Sequence, residues 1–238
     1  MVLHGFTQNG ESMKEFAQFF GPPLLAPDLP GHGDDPQLPA TMDAAVSQVV
    51  EMFRASPCRV LIGYSMGGRV ALRAALELGD EVDLLVLVST SAGMHDPSAR
   101  ADRLSADRGL AEDLRASGLE AFLERWSSLP IFAQLKARSE KWRDHDRLVR
   151  LEASAEGLAQ SLEGMGQGAT IPVADEELEG LETVTLLAAG AMDAWYAAEA
   201  ERMAELLPNG FVAIHPTGGH ALLGEDPGWV GRRVRLRV

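Results

Sequence analysis

Apolar residues recur along this chain in two alternating rhythms. Short unbroken runs fall at Val2-Leu3, Leu24-Leu25-Ala26, Arg59 to Ile62, Val82 to Ser89, Val184 to Ala189 and Phe211 to Ile214. Runs of this length predict six strands, buried on both faces of a sheet. Between them apolar positions return every three or four residues, the spacing of one helical face. Met13, Phe16, Ala17 and Phe20 share such a face in a helix expected over Glu11 to Phe20. Ala45, Val46, Val49 and Phe53 share one over Met42 to Arg54, with Thr41 placed to cap it. Arg69 to Glu77 and Ala194 to Leu207 read the same way. The chain from Ala221 predicts one short helix broken at Pro227-Gly228. Strand and helix in alternation predict a mostly parallel sheet flanked by helices, an α/β architecture.

The alternation stops between Met94 and about Leu181. This stretch is helical and charged, nearly free of strand signals, and holds nine arginines. It predicts a helical cap over residues 94–181, inserted into a core made of residues 1–93 and 182–238. The run Gly164 to Gly168 reads as a flexible return toward that core.

Chemistry concentrates at Gly63-Tyr64-Ser65-Met66-Gly67, followed by Gly68-Arg69. The run fits G-x-S-x-G, with a strand before it and a helix after it, and predicts a strained strand-to-helix turn that exposes Ser65. The alternative is a glycine-rich turn with a passing serine. A serine hydroxyl needs a histidine to take its proton, and the histidine needs an acid to fix its tautomer. Asp193 follows the strand 184–189 and His220 follows the strand 211–214, at the carboxyl ends of parallel strands, where such sheets place their sites. Asp193 also suits a helix N-cap, and His220 a solvated loop. Phe6, after the first strand, and Met66, after the serine, are the expected backbone donors of an oxyanion hole. His4, His32, His95 and His145 read as structural or solvated.

Composition narrows the function. Net charge is −14, from 35 acidic and 21 basic residues, which argues against a nucleic-acid partner. The apolar fraction of 46% fits a folded globular chain. The single cysteine, Cys58, provides neither a disulfide framework nor a metal cluster. No apolar run approaches a membrane span and no signal peptide is visible, so a cytoplasmic protein is expected. The arginines of the cap, with Arg69, could form a pocket for carboxylates despite the acidic total.

The runs His4 to Gly10, Ala26 to Gly33, Gly63 to Arg69, Trp126 to Phe132 and Arg150 with Gly157-Leu158-Ala159 together resemble the 2-succinyl-6-hydroxy-2,4-cyclohexadiene-1-carboxylate synthases of menaquinone biosynthesis, enzymes of the α/β-hydrolase fold. The resemblance implies a lyase without cofactor or metal. It would eliminate pyruvate from 2-succinyl-5-enolpyruvyl-6-hydroxy-3-cyclohexene-1-carboxylate, a small, multiply carboxylated substrate. It implies Ser65, Asp193 and His220 as the triad, acting as a proton-abstracting base. It implies Tyr64, Arg69, Arg103, Trp126 and Arg150 as substrate-binding residues, with the three arginines converging on one pocket. The alternatives are an esterase or carbon–carbon-bond hydrolase with Ser65 as nucleophile, and a non-catalytic binding protein on the same scaffold. Two departures stand out. The strands that usually precede the His4-Gly5-Phe6 run are missing, which would leave an exposed sheet edge, and Trp195 stands where a lysine is common. The oligomeric state is left open by the sequence.

Overall fold

The computed structural model describes residues 1–20, 24–33 and 39–237. Among these, five parallel strands form one sheet in the order β1 (Val2–Leu3), β2 (Val60–Tyr64), β3 (Leu84–Val88), β4 (Val184–Gly190) and β5 (Gly210–His215). Right-handed crossovers between strands added in one direction place the connecting helices on one face. Accordingly α2 (Met42–Arg54), α3 (Met66–Leu78) and α9 (Ala194–Leu206) share a core with Leu61, Leu85 and Leu87. The other face packs Ile62, Leu84, Val86 and Val88 against the early turn and the last two helices, α10 (Leu222–Glu225) and α11 (Pro227–Arg235). Period-two alternation along β3 thus feeds two cores from one apolar run.

Three sequence expectations change. Leu24-Leu25-Ala26 is not a sixth strand. Its one backbone bond to the sheet, from Val2 N–H to the Leu25 carbonyl at 2.8 Å, is too little for a ladder. That segment nevertheless lies along β1, so Val2 and Leu3 are fully buried and the expected exposed edge is not found there. The helix expected over Glu11 to Phe20 is a 3-10 turn, Gly10–Met13, followed by the single-turn α1, Lys14–Ala17. Asn9 caps the turn by accepting from the Ser12 amide. Met13 and Phe16 still reach the core. At the C-terminus the helix is interrupted where expected: α10 stops at Glu225, Asp226 lies between, and Pro227 begins α11, as suits a residue without an amide donor at the first helical position.

Between β3 and β4 the described elements are helical: α4 (Pro97–Ser117), α5 (Leu119–Ser128), a 3-10 segment (Pro130–Ala137), α6 (Glu140–Arg150), α7 (Ala155–Met165) and α8 (Asp175–Glu179). Leu114, Phe122, Leu158 and Leu162 form their own core, which reaches down to Phe6 and Trp126. The expected flexible return is tightly packed. A Cβ on Gly164 would lie 2.1 Å from the Ala40 carbonyl oxygen, and one on Gly168 would lie 2.2 Å from the Leu104 nitrogen. Glycine serves close approach here, not freedom.

His4 and His32 are both fully buried, with rings 5.1 Å apart. His4 Nε2 accepts the Leu29 amide at 2.9 Å, so its proton sits on Nδ1 and donates to the Gly5 carbonyl. Burial pulls the pKa of His4 down to about 4 and that of His32 to about 3. The unfolded chain therefore takes up protons near pH 6.5, before the native state does, and stability must fall as pH drops below that value. We expect a loss on the order of 2–4 kcal/mol between pH 7 and pH 5. Urea midpoints at the two pH values measure it; equal midpoints would show that the pair carries no such cost.

Candidate active site

The five strands end at one edge of the sheet, and the segments that leave this edge carry the chemistry. After β2 the chain turns into α3 through Ser65, whose φ of 52° and ψ of −111° are a strained combination for a residue with a side chain. Three small residues make the turn possible. A Cβ on Gly67 would lie 2.4 Å from the His4 carbonyl oxygen, one on Gly63 2.4 Å from that of Gly67, and one on Gly68 2.5 Å from Thr90 Cβ. Thr90 also donates to the Ser65 carbonyl at 2.7 Å, so the segment just after β3 braces the turn.

This turn presents Ser65 Oγ to His220 Nε2 at 3.0 Å, and His220 Nδ1 lies 2.7 Å from Asp193 Oδ2. The carboxylate holds the proton on Nδ1 and leaves Nε2 free to accept from the serine. Asp193 makes no side-chain cap to α9, so its oxygens are given to the histidine. Around His220 stand three aromatic rings: Tyr196 at 4.6 Å, Tyr64 at 5.6 Å and Phe132 at 6.1 Å. Neither the Phe6 nor the Met66 amide donates to a described acceptor, and both residues line the cavity beside Ser65. That is the arrangement of an oxyanion hole.

The cavity encloses about 210 Å³. Arg69, from the second turn of α3, reaches it through the interior and is only 9% exposed. Its Nη1 has no hydrogen-bond partner, and it forms no ion pair among the described residues. Burial lowers its pKa to about 10, so at neutral pH it is still a buried, unpaired cation. Arg103 enters from α4. Its Nε donates to the fully buried Asp107 at 2.8 Å, which cancels one charge and orients the guanidinium. The indole N–H of Trp126 is likewise buried and unpartnered. A cation and a donor thus stand unsatisfied beside Ser65, and a carboxylate is a group that would satisfy both.

The remaining expected residues lie close by, in other places. Arg150 lines an adjoining groove of about 890 Å³, which shares Trp126 and Phe132 with the cavity. It is held there by Asp146 at 2.7 Å and by the Thr7 hydroxyl. Two arginines, not three, therefore face the serine. Tyr64 sits beneath the wall, buried between Gly5 and His220, where burial raises the pKa of its phenol. Trp195, 52% exposed, leaves the cavity wall to Tyr196. Ser161, on α7, and Gln167, just after it, also line the cavity. Gln167 donates to the Tyr196 hydroxyl at 2.9 Å. Sequence reading missed both, because the glycines around Gln167 signalled only a turn.

Comparison with known proteins agrees with the fold. The profile of the alpha/beta hydrolase family matches residues 1–233. A putative 2-succinyl-6-hydroxy-2,4-cyclohexadiene-1-carboxylate synthase of Bacillus subtilis (strain 168) is 34% identical, over 98% of this chain and 88% of that protein. The structure of MenH from S. aureus superposes with a TM-score of 0.91 at 27% identity, covering 100% of this chain and 92% of the other. A malate-bound thermophilic esterase from Thermogutta terrifontis superposes at 0.80, also at 27% identity, covering 99% and 87%.

A buried, unpaired guanidinium should cost the resting protein stability. Arg69→Met replaces it with an apolar chain of similar length. We expect the variant to be more stable by about 1–3 kcal/mol. Its Tm should rise by about 3–10 °C. A melting curve checks this, and a lower Tm would mean that Arg69 has a partner in solution.

Proposed function

We propose, from the premise that the chain belongs to the alpha/beta hydrolase family and within it to the 2-succinyl-6-hydroxy-2,4-cyclohexadiene-1-carboxylate synthases, that it eliminates pyruvate from 2-succinyl-5-enolpyruvyl-6-hydroxy-3-cyclohexene-1-carboxylate, with Ser65, His220 and Asp193 as its proton-abstracting relay. The observation that carries the reading is the unpaired Arg69 guanidinium in the cavity wall that also holds Ser65. A neutral ester gives that charge no partner; a substrate carboxylate does.

Arg69 and Arg103 grip carboxylate oxygens and fix the ring of the substrate relative to Ser65. Ser65 Oγ takes the proton from the substrate carbon as His220 Nε2 takes the serine's own proton. Asp193 stabilises the imidazolium that forms. Charge left on the substrate moves onto a carboxyl oxygen held by the Phe6 and Met66 amides. The ring then gains its second double bond as the carbon–oxygen bond to the enolpyruvyl group breaks. The leaving enolate collects a proton and departs as pyruvate. No bond forms between Ser65 and substrate, so no acyl-enzyme needs water to release it. Aromatic rings around His220 keep bulk water from the proton in transit. Residues 94–181 act as the cap that closes this pocket. No described helix is long and apolar enough to cross a membrane, and we place the reaction in the cytoplasm.

Incubation with the labile precursor should release pyruvate, read with lactate dehydrogenase, in step with the absorbance of the diene. Ser65→Ala and His220→Ala should each lower kcat by about 100- to 10,000-fold. The double variant should lose little more than either alone, because the two residues act as one unit. Rapid turnover of a p-nitrophenyl ester with no pyruvate from the precursor would instead make Ser65 a nucleophile and the protein an esterase.

A further inference from the structure

The loop that carries His220 is held by a second carboxylate that the relay does not use. Glu225 ends α10, five residues beyond the histidine. Its Oε2 accepts the Gly219 amide at 2.6 Å and its Oε1 accepts the Ala221 amide at 3.1 Å. These are the two peptide N–H groups on either side of His220, so one side chain brackets the residue. The approach is close: a Cβ on Gly219 would lie 3.0 Å from Glu225 Oε1. We propose that Glu225 is a positioning residue of the relay, which fixes the backbone on both sides of His220 and sets a second negative charge behind the imidazole.

Both effects follow from the surroundings. Asp193 fixes the ring at one nitrogen only, which leaves the backbone free to swing about that contact unless something else holds it. Bonds from two amides to one carboxylate are charge-assisted and remove that freedom. Burial raises the pKa of Glu225, while the two amides, His220 and His215 favour its charged form. The titratable groups packed around His220 are Asp193, Tyr64, Tyr196 and Glu225, and the cations Arg69 and Arg103 line the same cavity. Beside Glu225, His215 lies 3.5 Å from Asp226, which supplies it with a carboxylate of its own. The charge of Glu225 therefore acts on His220 chiefly by stabilising the imidazolium.

This inference rests on His220 serving Ser65, and not on the identity of the substrate. Its test needs no natural substrate. A fluorophosphonate labels a serine activated by its histidine, and the His220 ring protons report their own pKa by NMR titration. The parent should be labelled at Ser65 and His220→Ala should not; if the parent is not labelled, the relay itself is wrong, which is a separate failure. Glu225→Gln keeps the size but turns an NH2 group toward one of the amides. We expect labelling to slow about 10-fold or more, and the His220 pKa to fall by about one unit. Glu225→Asp keeps the charge but is too short to reach both amides. Labelling should slow again, while the His220 pKa stays within a few tenths. Melting curves establish that each variant is folded, and if Glu225→Gln is not, Glu225→Asp carries the test through its labelling rate. A folded variant that labels within two-fold of the parent, with an unmoved His220 pKa in Glu225→Gln, would make Glu225 a structural residue only.

Discussion

The approach of α3 to β1 at Gly67 governs this molecule. The first turn of that helix passes so near the His4 carbonyl that no side chain fits between them. The chain reaches that position by forcing Ser65 into positive φ at the end of β2. A strained residue persists only when its neighbours overdetermine it. Here Gly63 and Gly68 remove the clashes, Thr90 holds the Ser65 carbonyl, and the Ser65 amide bonds to Val88. The same approach aligns the Met66 amide with the loop that carries Phe6. The position of Ser65 and that of the Met66 amide are thus two results of one packing constraint.

That constraint also accounts for Arg69. Its helix is buried on nearly all sides, between β2, β3 and α2, so a long side chain on its second turn has no direct way to water. The guanidinium must run inside to the cavity, where it meets a second cation, Arg103, already matched by Asp107. A chain of net charge −14 therefore holds a cationic pocket, because the pocket is set by a few buried groups and the total by the surface. Local geometry decides the ligand; composition decides only solubility.

Much of this was legible in the sequence. Long apolar runs such as Leu84 to Val88 have one stable use, and the helices beside them repeat with the period that covers a sheet. Ser65, Asp193 and His220 could be picked out because each follows such a run. What escaped depends on distance across the fold. Leu24-Leu25-Ala26 has strand composition, but the two-residue β1 beside it is too short to pair with it. Arg150 has the right type for a carboxylate, yet Asp146, four residues earlier on the same helix, and Thr7, far away in the chain, hold it in the neighbouring groove. The glycines from 164 to 168 announce a turn equally well whether they give freedom or close contact. Glu225 looks like any surface acid until the loop folds back and offers it two amides.

The helical segment between β3 and β4 is tied to the histidine as well as to the cavity. Phe132 packs on the His220 ring, and Gln134 lies against Gly219. Arg138 donates through Nη1 to the Gly224 carbonyl and through Nη2 to both Glu15 oxygens, at 2.7 and 2.8 Å. Glu15 in turn accepts the indole N–H of Trp142 at 2.6 Å. One cluster therefore joins the single-turn α1, the helical segment and α10. Each of its members is partly shielded from water, where an arginine–carboxylate pair holds its geometry better than an exposed one does. Residues of the cavity wall thus rest on the backbone that carries His220. The wall of the cavity and the position of His220 share contacts, so a change in residues 130–142 would be felt at both.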